Sequence, residues 1–331
     1  MKATIVGSGN MGTAMACLLA LNGRQVTCWD HVPEVVEDIR KNHENKRYLP
    51  GVRLSPSITA ELLLTQAVRE ARVIVVAVPS PYFRNVVKEF SPFAASDAVV
   101  IGCAKGLEAH SGKRMSQVYS ETSAHDGERY TVLSGPSVAG EFAWGRPTAA
   151  VLAGLHEPSV QKAVQVLSTP FFRVGTTTDV EGVEWGGVLK NIYAIGMGFI
   201  DGLSPGSVNV KAAFLEMAMR EMRIVGVRLG ARVETLDGLA GLGDLVTTGF
   251  SPDSHNRRLG ESLALGRKFE DTVDHLGGGL PEGVKTAAIL SDMTERMRIE
   301  APLLRRIDAC IKHPAGIAKF LDEVWKIPAI Q

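Results

Sequence analysis

With 331 residues, 45% of them hydrophobic and 22% charged, the chain has an ordinary globular composition and enough length for two domains. Lys plus Arg and Asp plus Glu both number 36, so there is no cationic excess to neutralise a phosphate backbone, and a general nucleic-acid binder is excluded. Four scattered cysteines without a C-x-x-C pair, and eight histidines without H-x-x-x-H or H-E-x-x-H spacing, predict small buried thiols in a reducing compartment and no metal.

Along the chain, Lys2 and the apolar residues after it have the opening of a secretion signal. Four glycines and Asn10 between Gly7 and Gly23 break any continuous apolar stretch, and no run of about 18 apolar residues follows elsewhere. The expectation is a cytoplasmic protein without a membrane span. Strands are predicted over residues 3–7, 25–29, 73–78, 98–103, 130–133 and 149–152, and helices over 12–21, 33–41, 58–68 and 82–89. The run Val73-Ile74-Val75-Val76-Ala77-Val78 lacks alternation, as parallel strands buried on both faces do. Strand, helix, strand at this spacing predicts an α/β, Rossmann-type doubly wound sheet.

From about Thr178 strand signals nearly vanish, and helices are predicted over 180–199, 208–229, 254–265, 283–297 and 303–312. An all-α substrate domain over 189–331 should therefore follow a dinucleotide-binding domain over 1–188, the boundary falling near the helix that carries Lys190.

The segment Ile5-Val6-Gly7-Ser8-Gly9-Asn10-Met11-Gly12 reads as a strand, a glycine turn and a helix start. In that order the first glycine permits the tight turn, the second lets backbone approach a pyrophosphate, and the third lets helix and strand pack closely. Amides at the helix start would then face the phosphates. Asp30 stands 18 residues after Gly12, at the end of the second strand, where a carboxylate can accept hydrogen bonds from a ribose and repel a 2′-phosphate. NAD is the favoured cofactor, with NADP as the alternative. Val78-Pro79-Ser80 closes another strand and should border the same site.

Three charged residues occupy unusual surroundings. Lys105 follows the apolar strand Val99-Val100-Ile101-Gly102-Cys103. Lys190 lies in the apolar, small-residue helix Gly186-Gly187-Val188-Leu189-Lys190-Asn191, where an ammonium is costly unless it is paired, faces a polar cleft or snorkels to the surface. Asp244, in Gly241-Leu242-Gly243-Asp244-Leu245-Val246, has apolar neighbours that call for a partner or for a helix-capping role.

Taken in order, Gly7-Ser8-Gly9-Asn10-Met11-Gly12, Val78-Pro79-Ser80 with Phe83, Ala104-Lys105-Gly106-Leu107-Glu108, Ser134-Gly135-Pro136-Ser137, Pro147-Thr148-Ala149, Gly187-Val188-Leu189-Lys190-Asn191, Ala240-Gly241-Leu242-Gly243-Asp244-Leu245, Asn256-Arg257-Arg258 with Gly260, and Glu282-Gly283 make the chain resemble the NAD(P)-dependent glycerol-3-phosphate dehydrogenase family along nearly its whole length. The resemblance implies interconversion of dihydroxyacetone phosphate and sn-glycerol 3-phosphate, supplying phospholipid synthesis; the apolar helices of the second domain are what point to a homodimer. It implies Lys190 as proton donor to the carbonyl, Lys105 as a polarising cation, and Asp244 with Thr248 as the groups that orient Lys190. Gly135, Ser137, Asn191, His255, Asn256 and Arg257 are implied around the substrate. The glycine turn with Ser8, Asn10 and Met11, Asp30, Pro79, Phe83, Lys105, Ala139, Arg257 and Glu282 are implied around the cofactor.

Departures fall on the substrate side. His255 stands where the family carries an Arg that grips phosphate, Met217 replaces a later Arg, and Gly140 stands where Lys is frequent, while Lys211 keeps one cation. A paralogue acting on another small 2-oxo or 2-hydroxy compound is therefore the second reading. A non-catalytic dinucleotide sensor is the third, and the retention of Lys105, Lys190, Asn191, Asp244 and Thr248 counts against it.

Overall fold

The computed structural model describes residues 1–125, 127–275 and 280–327. They form two compact units: Met1–Glu108 with Lys113–Val180, and Ala109–Gly112 with Glu181–Gln331.

The first unit holds one eight-stranded sheet. Its strands are β1 (Lys2–Val6), β2 (Gln25–Trp29), β3 (Ile58–Glu61), β4 (Val73–Val76), β5 (Val99–Gly102), β6 (Tyr130–Ser134), β7 (Thr148–Ala153) and β8 (Phe172–Thr177), in the order β3-β2-β1-β4-β5-β6-β7-β8. All neighbours pair in parallel except β6 with β7. The connecting helices are α1 (Asn10–Leu21), α2 (Pro33–Asn42), α3 (Leu64–Ala67), α4 (Ser80–Phe90), α5 (Met115–Thr122), α6 (Ala139–Ala143) and α7 (Glu157–Leu167). Every residue of β4 and β5 is buried, which is why these segments show no polar alternation. The chain reverses its direction across the sheet between β1 and β4, so the carboxyl ends of those two strands form the switch point where such sheets bind ligands.

The second unit is helical: α8 (Val180–Leu203), α9 (Val208–Arg228), α10 (Val233–Asp237), α11 (Asp244–Phe250), α12 (His255–Ala264), α13 (Phe269–His275), α14 (Glu282–Arg296), α15 (Pro302–Lys312) and α16 (Phe320–Val324). Among the described residues no helix is long and apolar enough to cross a membrane, and no group of three or more His, Cys, Asp or Glu side chains could hold a metal ion.

The α/β sheet followed by a helical unit agrees with the sequence reading, while several segments differ from it, among them the helices α5 and α7, which were not predicted. Residues 58–68, expected as one helix, are the strand β3, a turn and the four-residue α3. Ile58 and Ala60 are buried while Thr59 is exposed, a period of two that pairs with β2, and the leucines from Leu62 onward belong to the next element. The division between units falls at Val180, at the start of α8, and not at residue 188, because α8 runs unbroken to Leu203. Strand β8, on the sheet edge, was not anticipated. Its half-exposed pattern with a glycine and two threonines gives no apolar signal.

Candidate active site

In the first unit, the register sets Val6 of β1 beside Trp29 of β2 and Val76 of β4, so the residues after each strand gather at one edge. Gly7 turns the chain there with φ +98°, and an added Cβ would come 2.8 Å from Val78 Cγ1. A Cβ on Gly12 would collide with the Gly7 carbonyl oxygen, so this glycine is needed for α1 to pack against β1. Gly9 is different. Its φ of −65° suits any residue, and a Cβ would meet no protein atom within 4 Å. The fold does not demand glycine at Gly9, whereas a ligand lying close on the backbone does. Helix α1 begins with no side-chain cap and no acidic residue in its first turn, so its leading amides suit a pyrophosphate. The turn thus fits a dinucleotide.

Asp30 is buried, and its two carboxylate oxygens accept from the backbone amides of Ser8 and Val32, each at 3.0 Å. It braces the glycine turn while one exposed neighbour, His31, lies 3.5 Å away. The Ser8 hydroxyl donates to the Trp29 carbonyl. The Ser8 carbonyl accepts from Thr13 Oγ1 and from the buried Asn45 Nδ2, at 3.0 and 2.8 Å. Sequence reading missed Asn45. It lies 37 residues from its partner, in a turn with no periodic signal.

Pro79 stands at the N-cap of α4, and Phe83 one turn later is wholly buried, edge-on to Tyr130 at 6.1 Å. Phe83 is therefore a wall residue of this unit. After β5, Lys105 donates to the Gly135 carbonyl at 3.3 Å, and Ser137 Oγ donates to the same oxygen at 3.0 Å. These three expected residues meet at the ends of β5 and β6. Ala139 starts α6, which follows directly. Arg84 on α4 holds Glu108, three residues beyond Lys105, with two hydrogen bonds of 2.6 and 2.9 Å.

In the second unit, Lys190 is 7% exposed on a helix buried continuously from Gly182 to Ile200. It donates to Thr248 Oγ1 at 2.6 Å and lies 3.1 Å from Asp244 Oδ1, while the Thr248 hydroxyl donates to the same carboxylate oxygen at 3.3 Å. Pairing, one of the options open for a lysine on such a helix, is what the structure shows. The tight turn Leu239–Gly243 delivers Asp244, with π-helical hydrogen bonding of the kind that often marks functional sites. It can approach α8 because Gly186, one turn before Lys190, lacks a Cβ that would sit 2.6 Å from the Ala240 carbonyl oxygen.

Asn191 Oδ1 accepts from Asn256 Nδ2 at 2.9 Å, and Asn256 Oδ1 accepts from the amide of Gly283, next to Glu282 at the start of α14, at 3.1 Å. The chain α8–α12–α14 is thus linked through two asparagines. Helix α12 reaches this position because a Cβ on Gly198 would collide with the Arg257 carbonyl oxygen. His255 sits exposed in the first turn of α12, whose cap is Ser254. Loss of hydration, and the Arg258 guanidinium, hold its imidazole below the usual range.

Arg257, expected beside the substrate phosphate or the cofactor, lies among carboxylates of its own unit. Its Nε lies 2.7 Å from Asp201 Oδ2 and its Nη1 donates to Glu261 Oε2 at 3.1 Å, so two carboxylates of the same unit already engage it. Lys211 is similarly occupied by Asp201, at 2.9 and 2.8 Å. Asp201 was not singled out from sequence. The available signal was an acid 11 residues after Lys190, three turns along the same apolar helix face.

A phosphate-ready turn on a doubly wound sheet, followed by a buried lysine with carboxylate and hydroxyl partners, is the equipment of a pyridine-nucleotide-dependent oxidoreductase. The profile of the NAD-dependent glycerol-3-phosphate dehydrogenase N-terminus matches residues 2–159, and that of the corresponding C-terminus matches residues 179–322. The chain belongs to the NAD-dependent glycerol-3-phosphate dehydrogenase family. Relatives named glycerol-3-phosphate dehydrogenase (NAD(P)+) include one from Syntrophomonas wolfei, 40% identical over 98% of this chain and 93% of its own. Another, from Moorella thermoacetica, is 41% identical over 92% of this chain and 89% of its own. The crystal structure of glycerol-3-phosphate dehydrogenase from Coxiella burnetii matches with a TM-score of 0.91 at 30% identity, covering 98% of each chain.

Proposed function

We propose that this protein reduces dihydroxyacetone phosphate to sn-glycerol 3-phosphate with NADH, and catalyses the reverse reaction. The observation that carries the reading is Lys190, a buried ammonium held between Asp244 and Thr248 on the scaffold of this family. When bound, the reduced nicotinamide supplies the hydride. Lys190 Nζ gives a proton to the carbonyl oxygen as negative charge develops there, and Asp244 stabilises the ammonium and fixes its direction. Thr248 accepts one Lys190 hydrogen and so leaves fewer directions open to the others. Lys105 adds a second positive charge, with Gly135 and Ser137 beside it. Asn191 and Asn256 orient each other and present their amides to substrate hydroxyl and phosphate groups, together with His255.

The amides of Asn10, Met11 and Gly12 hold the pyrophosphate, and the negative charge of Asp30 disfavours a 2′-phosphate, which supports NAD ahead of NADP. Pro79, Phe83, Ala139 and Glu282 are assigned to the cofactor side on family likeness. For Arg257 the ion pairs with Asp201 and Glu261 support a structural task. A cytoplasmic homodimer serving phospholipid synthesis completes the reading, and sedimentation of the purified protein tests the dimer.

Because His255 and Met217 stand where the family carries arginines, a small 2-oxo acid is the competing substrate. Lys190→Met is expected to lower kcat at least 1,000-fold, roughly the contribution of a general acid, with NADH binding by fluorescence unchanged. Turnover within tenfold of the wild type would refute the proton-donor assignment.

A further inference from the structure

We propose that Asp201 is a positioning residue for the reaction: one carboxylate that holds Lys211 and Arg257 and thereby fixes the helices presenting Asp244, Thr248 and Asn256 to Lys190 and Asn191. The inference rests on the functional reading above and deepens it.

Asp201 lies three turns beyond Lys190 on α8, on the same face, about 16 Å along the axis at ~1.5 Å per residue. Both carboxylate oxygens accept from Lys211 Nζ, and one also lies 2.7 Å from Arg257 Nε. The side chains of Asp201, Lys211 and Arg257 are only 18%, 11% and 15% exposed, so solvent screens the cluster weakly. Each cation belongs to a different element. Lys211 is in the first turn of α9, and its ammonium also sits 4.7 Å from the centroid of the Phe250 ring, the last residue of α11. Arg257 is in the first turn of α12, one residue after Asn256. One carboxylate on α8 therefore attracts α12 directly, by charge alone since Arg257 Nε lacks hydrogen-bond geometry towards it, and holds α11 through Lys211 and Phe250. The same two helices carry the partners of Asn191 and Lys190.

Charge counting gives the cluster a second consequence. Lys211 and Arg257 against Asp201 and Glu261 sum to zero, so these two cations do not serve as a standing anion site. Their task is to hold the helices. Removing the Asp201 charge leaves two largely buried cations without their shared partner, a costly state that relaxes by moving α12 or the α11 end. The displacement would reach Asn256, one residue from Arg257, and Thr248, two residues from Phe250.

The test compares wild type, Asp201→Asn and Lys211→Met in steady-state reduction of dihydroxyacetone phosphate, each at least 10 °C below its own Tm. NADH dissociation constants and deuterium exchange of the backbone amides over residues 244–260 are measured in parallel. Asp201→Asn is expected to lose 10- to 100-fold in kcat/KM for the ketone, with both kcat and KM affected. Lys211→Met, which keeps the Asp201–Arg257 pair, is expected to lose three- to tenfold. NADH dissociation constants should stay within twofold, and exchange over 244–260 should quicken in both variants. A lowered Tm with unchanged kcat/KM would show a purely structural ion pair and overturn the proposal. Should Asp201→Asn fail to fold, an unchanged kcat/KM in Lys211→Met overturns it equally. Wild type inactive on dihydroxyacetone phosphate would be a failure of the functional reading instead. The exchange comparison then decides the clamp by itself, because unaltered exchange in the variants rejects it.

Discussion

At Gly9 a single missing methyl separates what the fold needs from what a ligand needs. An alanine there meets no protein atom within 4 Å and adopts an ordinary φ, whereas an alanine at Gly12 collides with the Gly7 carbonyl oxygen. Gly9→Ala is therefore expected to leave Tm within about 2 °C of wild type, the response to a change of a few tenths of a kcal/mol, while NADH binding weakens at least tenfold. Gly12→Ala should lose both binding and about 1–3 kcal/mol of stability through overpacking. Thermal melts and NADH fluorescence titrations check the pair, and equal behaviour of the two variants would contradict it. Lys190 shows how far single residues were legible. A lone ammonium on an apolar helix announces that it must be paired, and its partners Asp244 and Thr248 came from family likeness. The same likeness gave no sign of the Asp201 carboxylate beside Arg257, which sits 56 residues earlier with no local pattern linking the two.

Elements were legible where burial imposes a period or erases it. The all-apolar β4 and β5, and the long apolar α8, follow directly from their sequences, whereas β3 and β8 do not. Strand β3 is four residues on the sheet edge, and three following leucines extend its apolar signal into the next element. The tight turn Leu239–Gly243 was equally invisible, since glycines read as breaks and not as a means of close approach. Helix α15 carries a prediction of its own. Its first amides, Leu303 and Leu304, donate at 2.7 and 2.6 Å to the carboxylate of Glu221 on α9, which also accepts from the Tyr193 hydroxyl. Burial raises the Glu221 pKa from 4.5 to about 7 despite these bonds. The fold thus favours the protonated form, whose contribution is complete below pH 4.5 and is lost as pH rises through 7. Relative to Glu221→Gln, the unfolding free energy of wild type should fall by on the order of 3 kcal/mol across that window. Urea titrations at pH 4.5, 6 and 7.5 measure it, and a constant difference between the two proteins would contradict it.

For the whole molecule, fold class and family were both readable because the dinucleotide turn and the lysine helix are each contiguous in sequence. What the sequence left open was the substrate. Lys211 and Arg257 are both paired with Asp201, and Asn191 is hydrogen-bonded to Asn256. The most direct measurement is the NADH-dependent turnover of dihydroxyacetone phosphate beside a panel of unphosphorylated 2-oxo acids, at pH 7 and equal enzyme concentration. The expected result is a kcat/KM of at least about 10⁴ M⁻¹ s⁻¹ for dihydroxyacetone phosphate, within the ordinary range for enzymes, and at least 100-fold less for every 2-oxo acid. Tight NADH binding with no turnover of dihydroxyacetone phosphate, or a 2-oxo acid turned over faster, would contradict the assignment.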